Sequence, residues 1–119
     1  MKTELARGDV VRVRLDPAEG REIRKTRPAV VVSNNAACRF DSVIQVVPLT
    51  SLPDRPLRPY EALIDSEASG LPKTSRAVAN QIRTIAKHRI TKRVGRLTAG
   101  EIKTVDRAIK IQLALSVVS

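Results

Sequence analysis

The sequence is almost without aromatic residues: among 119 positions there is one Phe, Phe40, one Tyr, Tyr60, and no Trp. A binding mode built on extended ring or base stacking is therefore disfavoured. The single cysteine, Cys38, excludes an internal disulfide. One histidine, His88, fifty positions from that cysteine, excludes a His/Cys zinc site and a nuclease that works through a pair of histidines. Carboxylates could still hold magnesium, but the sequence has no tight acidic cluster, and no metal or other cofactor is expected. The longest stretch without a charge, Ser42 to Pro53, has 12 residues and is too short to span a bilayer. No apolar signal region follows Met1-Lys2-Thr3-Glu4, so the expected location is a cytoplasm, with no membrane partner.

What is abundant is positive charge. Lys and Arg number 22 against 12 Asp and Glu, a formal net charge of +10. Such an excess suggests a polyanion, nucleic acid first, held by phosphate contacts and hydrogen bonds. The plain alternative is a basic surface that serves solubility. The charge is uneven: Ala68 to Gly100 holds no Asp or Glu, and Arg21 to Arg27 sets four cations against Glu22. The 42% apolar content supports a packed core, and the length fits one domain spanning 1–119.

Apolar and basic residues alternate with period two over Val11–Leu15, which predicts a half-buried strand. Ala29–Val32 reads as a strand buried on both faces. Further strands are predicted at Val43–Leu49, Glu61–Ile64, Arg76–Ala79 and Gln81–Ile85. The segment from Gly20 to Arg27 reads as a loop closed by Pro28, and Pro53 to Pro59, with three prolines, can be neither helix nor central strand. Thr98-Ala99-Gly100-Glu101 fits a capping box. Ile102, Val105, Ile109 and Leu113 then mark one face of an amphipathic helix. Several strands followed by one good helix predict an α+β, mainly β chain: a small barrel with a terminal helix.

The loop from Gly20 to Pro28 is the first candidate for chemistry. Arg27, biased to extended backbone by Pro28, could fork two hydrogen bonds onto a phosphate, or the loop could be merely solvated. Thr50 and Ser51 close an apolar strand, where their hydroxyls could donate to a phosphate oxygen or cap a turn. The amides of Asn80 and Gln81 could read base edges or satisfy buried backbone. Phe40 and Tyr60 could each stack one base or simply pack, His88 reads as a surface residue, and Cys38 as a small apolar one.

The order of these segments is more telling than any one of them. Gly8-Asp9-Val10-Val11, Asp16-Pro17, Gly20-Arg21-Glu22, Thr26-Arg27-Pro28 running into Ala29–Asn34, Pro48-Leu49-Thr50-Ser51 and Gln81–Ile85, in this order, resemble the MazF/PemK family of endoribonuclease toxins. The resemblance runs over about residues 6 to 115. It implies a small SH3-like β-barrel of the MazF/PemK/CcdB type, with short helices and a C-terminal helix. It implies a homodimer that cuts single-stranded RNA at short sequences without a metal, leaving a 2′,3′-cyclic phosphate, and a cognate acidic antitoxin as partner. By position Arg27 matches the family's catalytic arginine, Thr50 its catalytic threonine and Glu22 a supporting acid. Arg21, Arg24, Lys25, Asn34, Ser51, Asn80, Gln81 and Arg83 are the expected RNA contacts. The plasmid-borne PemK branch has an Arg-Cys-Asp stretch and a loop histidine where this chain has Val78-Ala79-Asn80 and Arg21, which implies either the arginine–threonine scheme or weak activity. The alternatives are a non-catalytic CcdB-like toxin that grips DNA gyrase and a basic barrel that binds RNA without cutting it.

Overall fold

Alternating burial builds the sheet. In the computed structural model, which describes residues 4–116, seven strands run antiparallel to their neighbours: β1 (Asp9–Arg14), β2 (Thr26–Val31), β3 (Val43–Ser51), β4 (Glu61–Ile64), β5 (Ser75–Val78), β6 (Arg83–Ala86) and β7 (Ile90–Arg96). Their order is β4-β5-β3-β2-β1-β7, with β6 paired to the first half of β3. A short helix α1 (Asn35–Phe40) precedes β3, and α2 (Ala99–Gln112) closes the chain. The architecture is α+β and mainly β, as the strand-rich pattern implies.

Two apolar clusters lie on opposite faces of the strands. Val10, Val30, Val47, Leu49, Ile64 and Ala77 share one with Val105 and Ala108 of α2. Val11, Val13, Leu15, Ala29, Val31, Ile44, Val46 and Ile85 form the other. β2 thus contributes to both, which is why Ala29–Val32 reads as a continuous apolar run. β3 contributes Ile44 and Val46 to one cluster and Val47 and Leu49 to the other. It pairs with β2 and β6 at its start and with β5 at its end.

The capping box is present: the Glu101 amide donates to Thr98 Oγ1 at 3.1 Å, and the Thr98 amide to Glu101 Oε1 at 3.1 Å. The same carboxylate accepts from the amides of Asp65 and Ser66 at 3.0 and 3.1 Å and from the Ser66 hydroxyl at 2.6 Å. Burial, the largest influence on this acid, raises its pKa, but the hydrogen bonds from Ser66, Thr98 and Asp65 together outweigh it and hold it below the ordinary value. The helix start is thereby tied to the segment after β4. Val105 is buried and Ile102 and Ile109 half-buried, as the spacing predicts, whereas Leu113 lies past the last turn and is exposed.

Four elements differ from the sequence reading. β2 begins at Thr26, so Arg27 and Pro28 sit in a strand and not in the loop. Pro28 is tolerated there because the β2–β3 ladder starts only at Ala29. Ala79–Gln81 is a single 3-10 turn, and the strand expected over Gln81–Ile85 begins at Arg83. β7 has no alternating signal because it is an exposed edge strand rich in Lys and Arg. α1 is too short for a helical period, although Asn34 caps it by accepting from the Ala37 amide at 2.8 Å.

The edge strands β4 and β7 do not pair, so the ladder is open there. The gap is bridged by the turn after β4, where a 3-10 turn at Glu67–Ser69 and Gly70 lie against β7. Gly70 has φ +74°, and a Cβ there would fall 1.9 Å from the Val94 carbonyl oxygen. A Cβ on Gly95 would fall 2.3 Å from the Ser69 carbonyl oxygen. The two glycines let backbone meet backbone where a ladder is missing. Gly95→Ala is expected to lower stability by about 1–3 kcal/mol through overpacking. A thermal melt with an unchanged midpoint would refute this account of the closure.

Candidate active site

Cross-strand register sets the site. Thr50 lies opposite Arg76 in the β3–β5 ladder, so the two side chains share one face. That face opens into two adjacent clefts, and Thr50 lines both. The first, about 220 Å³, gathers Arg12, Arg27, Thr50, Ser51, Lys73 and Ser75. The second, about 250 Å³, gathers Arg21, Arg55, Tyr60, Arg76, Asn80 and Gln81 around Glu61. Arg27 is exposed, and its Nε donates to the Arg24 carbonyl at 3.3 Å, which steadies the guanidinium at the rim.

The expected site residues divide. Arg27, Thr50 and Ser51 come together at the first cleft, and Arg21, Asn80 and Gln81 at the second. Glu22 lines neither; its Oε1 accepts from the Glu19 amide at 2.8 Å. Arg24 donates to the Gly20 carbonyl at 3.1 Å, and the Lys25 amide donates to Asp16 Oδ1 at 3.0 Å. Both brace the loop in which they sit. Asn34 caps α1, and Arg83 donates to the Leu15 carbonyl at 3.1 Å. Neither of the two lines a cleft.

Gln81 holds loop backbone: its Oε1 accepts from the Ile23 amide at 3.2 Å and its Nε2 donates to the Arg21 carbonyl at 3.2 Å. Those two contacts bracket Glu22. Of the two roles open to this amide, the structure fills the backbone one. Tyr60 is half-buried on the second cleft, whereas Phe40 is 78% exposed with the Arg39 guanidinium 5.6 Å from its ring centre.

The sequence reading missed Glu61 and its partners. Glu61 accepts from Arg55 Nη1 and Nη2 at 2.8 and 3.0 Å, from the Arg58 amide at 2.8 Å, and from Arg76 Nη1. Its side chain is 1% exposed. The paired Arg55 fork, aided by the Arg58 amide and Arg76, outweighs burial and holds this carboxyl at about 2. The available signal was an acid set directly after an Arg- and Pro-rich stretch, which strand periodicity does not score. No group of three or more His, Cys, Asp and Glu close enough to hold a metal ion occurs among the described residues. No helix among them is long and apolar enough to cross a membrane.

With this geometry in place, relatives define the class. Residues 6–113 match the family described as PemK-like, MazF-like toxin of type II toxin–antitoxin systems. The chain is 40% identical over 116 residues to endoribonuclease MazF9 of Mycobacterium tuberculosis, covering 93% of this chain and 98% of that one. It is 34% identical over 109 residues to endoribonuclease EndoA of Bacillus subtilis, covering 92% and 94%. A mycobacterial endoribonuclease solved in complex with its cognate antitoxin superposes with a TM-score of 0.77 at 25% identity, over 94% of this chain and 97% of that one. The chain belongs to the PemK/MazF-like toxin family.

The Glu61 cluster makes a pH prediction. Its folded pKa of about 2 lies below the ordinary 4.5, so its stabilisation is complete above 4.5 and is lost as pH falls from there through about 2. The difference corresponds to about 3 kcal/mol. Denaturant titrations of the wild type between pH 6 and pH 2 should show this loss, and Glu61→Gln should flatten the curve. Parallel curves would place the acid sensitivity elsewhere.

Proposed function

We propose that this chain is the toxin of a toxin–antitoxin pair, a metal-independent, sequence-specific endoribonuclease that cuts single-stranded RNA. The observation that carries the reading is Arg27 and Thr50 lining one cationic cleft in a chain of this family. The relatives' endoribonuclease names favour cleavage over the gyrase-binding alternative.

The reaction starts with attack of an RNA 2′-hydroxyl on the adjacent phosphorus. The P–O5′ bond breaks and a 2′,3′-cyclic phosphate is left. Arg27 stabilises the charge that gathers on the phosphoryl oxygens, Thr50 adds a neutral donor, and Arg12 and Lys73 deepen the positive field of the same cleft. The 2′-hydroxyl proton goes to Glu22, on the loop bracketed by Gln81, once its contact with the Glu19 amide is released. DNA binds the same cations without reacting, since it lacks the attacking hydroxyl. The toxin acts as a homodimer in the bacterial cytoplasm, its 1–119 a single domain. An acidic antitoxin segment occupies the clefts in competition with RNA; complexes with antitoxin are known for structural relatives.

Primer extension on a long RNA in EDTA tests the reading. Wild type should give discrete cuts, and Arg27→Ala should lose about 10²–10³ in rate. RNA left whole by wild type would overturn the function, and full activity in Arg27→Ala would overturn the residue assignment.

A further inference from the structure

The second cleft is more ordered than a surface groove needs to be. Glu61 is buried and its two oxygens receive two guanidinium groups and a backbone amide, so it neither repels a phosphate nor reads a base. What it does is fix its donors. Arg76, across from Thr50, also donates from Nε to the Ser51 carbonyl at 3.2 Å, which ties the cluster to the strand end that carries Thr50. Arg55 lies on the segment with Pro53, Pro56 and Pro59, whose backbone has little freedom to lose. Its Nη1 also donates to the Pro56 carbonyl at 2.9 Å.

A guanidinium has five N–H donors. The contacts to Pro56 and Glu61 use three of those of Arg55, leaving two without a protein acceptor among the described residues. The side chain is 32% exposed and lines the cleft beside Arg21. The cleft therefore presents a pre-oriented donor pair next to a residue it shares with the first cleft.

We propose that this cleft is a subsite for the nucleotide next to the scissile one, in which Arg55 takes the flanking phosphate and Glu61 is the positioning residue that aims it. The proposal rests on the ribonuclease reading. A strand crossing Thr50 puts the reacting phosphate at Arg27 and the neighbouring phosphate at Arg55, so one threonine serves as the ridge between the two. Affinity comes from a cation whose ordering entropy is already lost in the free protein.

The test uses a labelled, fully 2′-O-methylated single strand, which binds but cannot be cut by 2′-hydroxyl attack. Arg55→Ala should weaken binding about tenfold. The slope of log affinity against log salt should shrink by about 0.7, the value for one phosphate on a single strand. Arg55→Lys should restore the slope while recovering only part of the affinity, because the charge returns without the fork. On the cleavable RNA, Glu61→Gln should raise KM and leave kcat within a factor of about two, whereas a partly unfolded sample lowers apparent kcat at constant KM. Wild-type affinity and slope in Arg55→Ala overturn the subsite even if Glu61→Gln fails to fold. A wild type that binds the probe but cuts no RNA overturns the ribonuclease reading, and the slope comparison still decides the phosphate contact.

Discussion

The constraint on which the rest depends is the double duty of β3. One nine-residue strand pairs with β2 and β6 at its start and with β5 at its end, and its alternate side chains enter both apolar clusters. A strand held this way has no freedom of register, because a one-residue slip would move Ile44, Val46, Val47 and Leu49 out of both clusters together. Thr50 comes at the end of that run. Its position is therefore set by the seven strand residues before it, not by a loop. In the proposed reaction the phosphate would meet a hydroxyl that the core has placed.

The excess charge is less free than its sum suggests. Much of the acid-free stretch from Ala68 to Gly100 is used inside the molecule. Arg93 and Arg96 lie 3.8 and 3.0 Å from the fully buried Asp9, which pins β7 to β1. Arg89 reaches the carbonyls of Arg14 and Asp16, and Lys87 that of Cys38 at 2.6 Å. Arg93 and Arg96 reinforce the β1–β7 ladder, in which Asp9 lies opposite Arg96, while Arg89 and Lys87 tie down the ends of β1 and α1. The cations that line the clefts are a smaller set: Arg12, Arg27 and Lys73 on one side of Thr50, Arg21, Arg55 and Arg76 on the other. Net charge speaks for affinity to polyanions, but the hydrogen-bond partners decide which cations can give it.

The legible parts of the fold were those whose signal is local. Val11–Leu15, Ala29–Val32 and Val43–Leu49 carry alternation or unbroken burial in their own residues, and Thr98–Glu101 carries its cap. β7 was illegible because an edge strand has no buried face to write a period into the sequence. The site followed the same rule. Arg27 and Thr50 stand in short motifs with a fixed order, whereas Glu61, Arg55 and Arg76 are brought together by the β4–β5 ladder and a proline-rich turn. Gln81 shows the remaining gap: its residue type allowed base reading or backbone bonding, and only the folded loop reveals the backbone bonds it makes.

The proposed chemistry has an asymmetry in its protons. In the proposed scheme Glu22, once released from the Glu19 amide, takes the proton of the attacking hydroxyl, whereas neither cleft places a histidine beside the leaving 5′-oxygen. Guanidinium groups do not release protons near neutral pH. Glu61, held at about 2 by Arg55 and its other donors, has no proton to give there either. The clefts are open rather than sealed, so water reaches the leaving group, and the field of Arg27 and its neighbours favours the departing alkoxide until water protonates it. In this scheme charge stabilisation plus solvent stands in for acid catalysis by a histidine or a carboxyl. That division explains why a site rich in arginine and poor in histidine suits the proposed reaction: a guanidinium group stabilises charge without having to change protonation during a turnover.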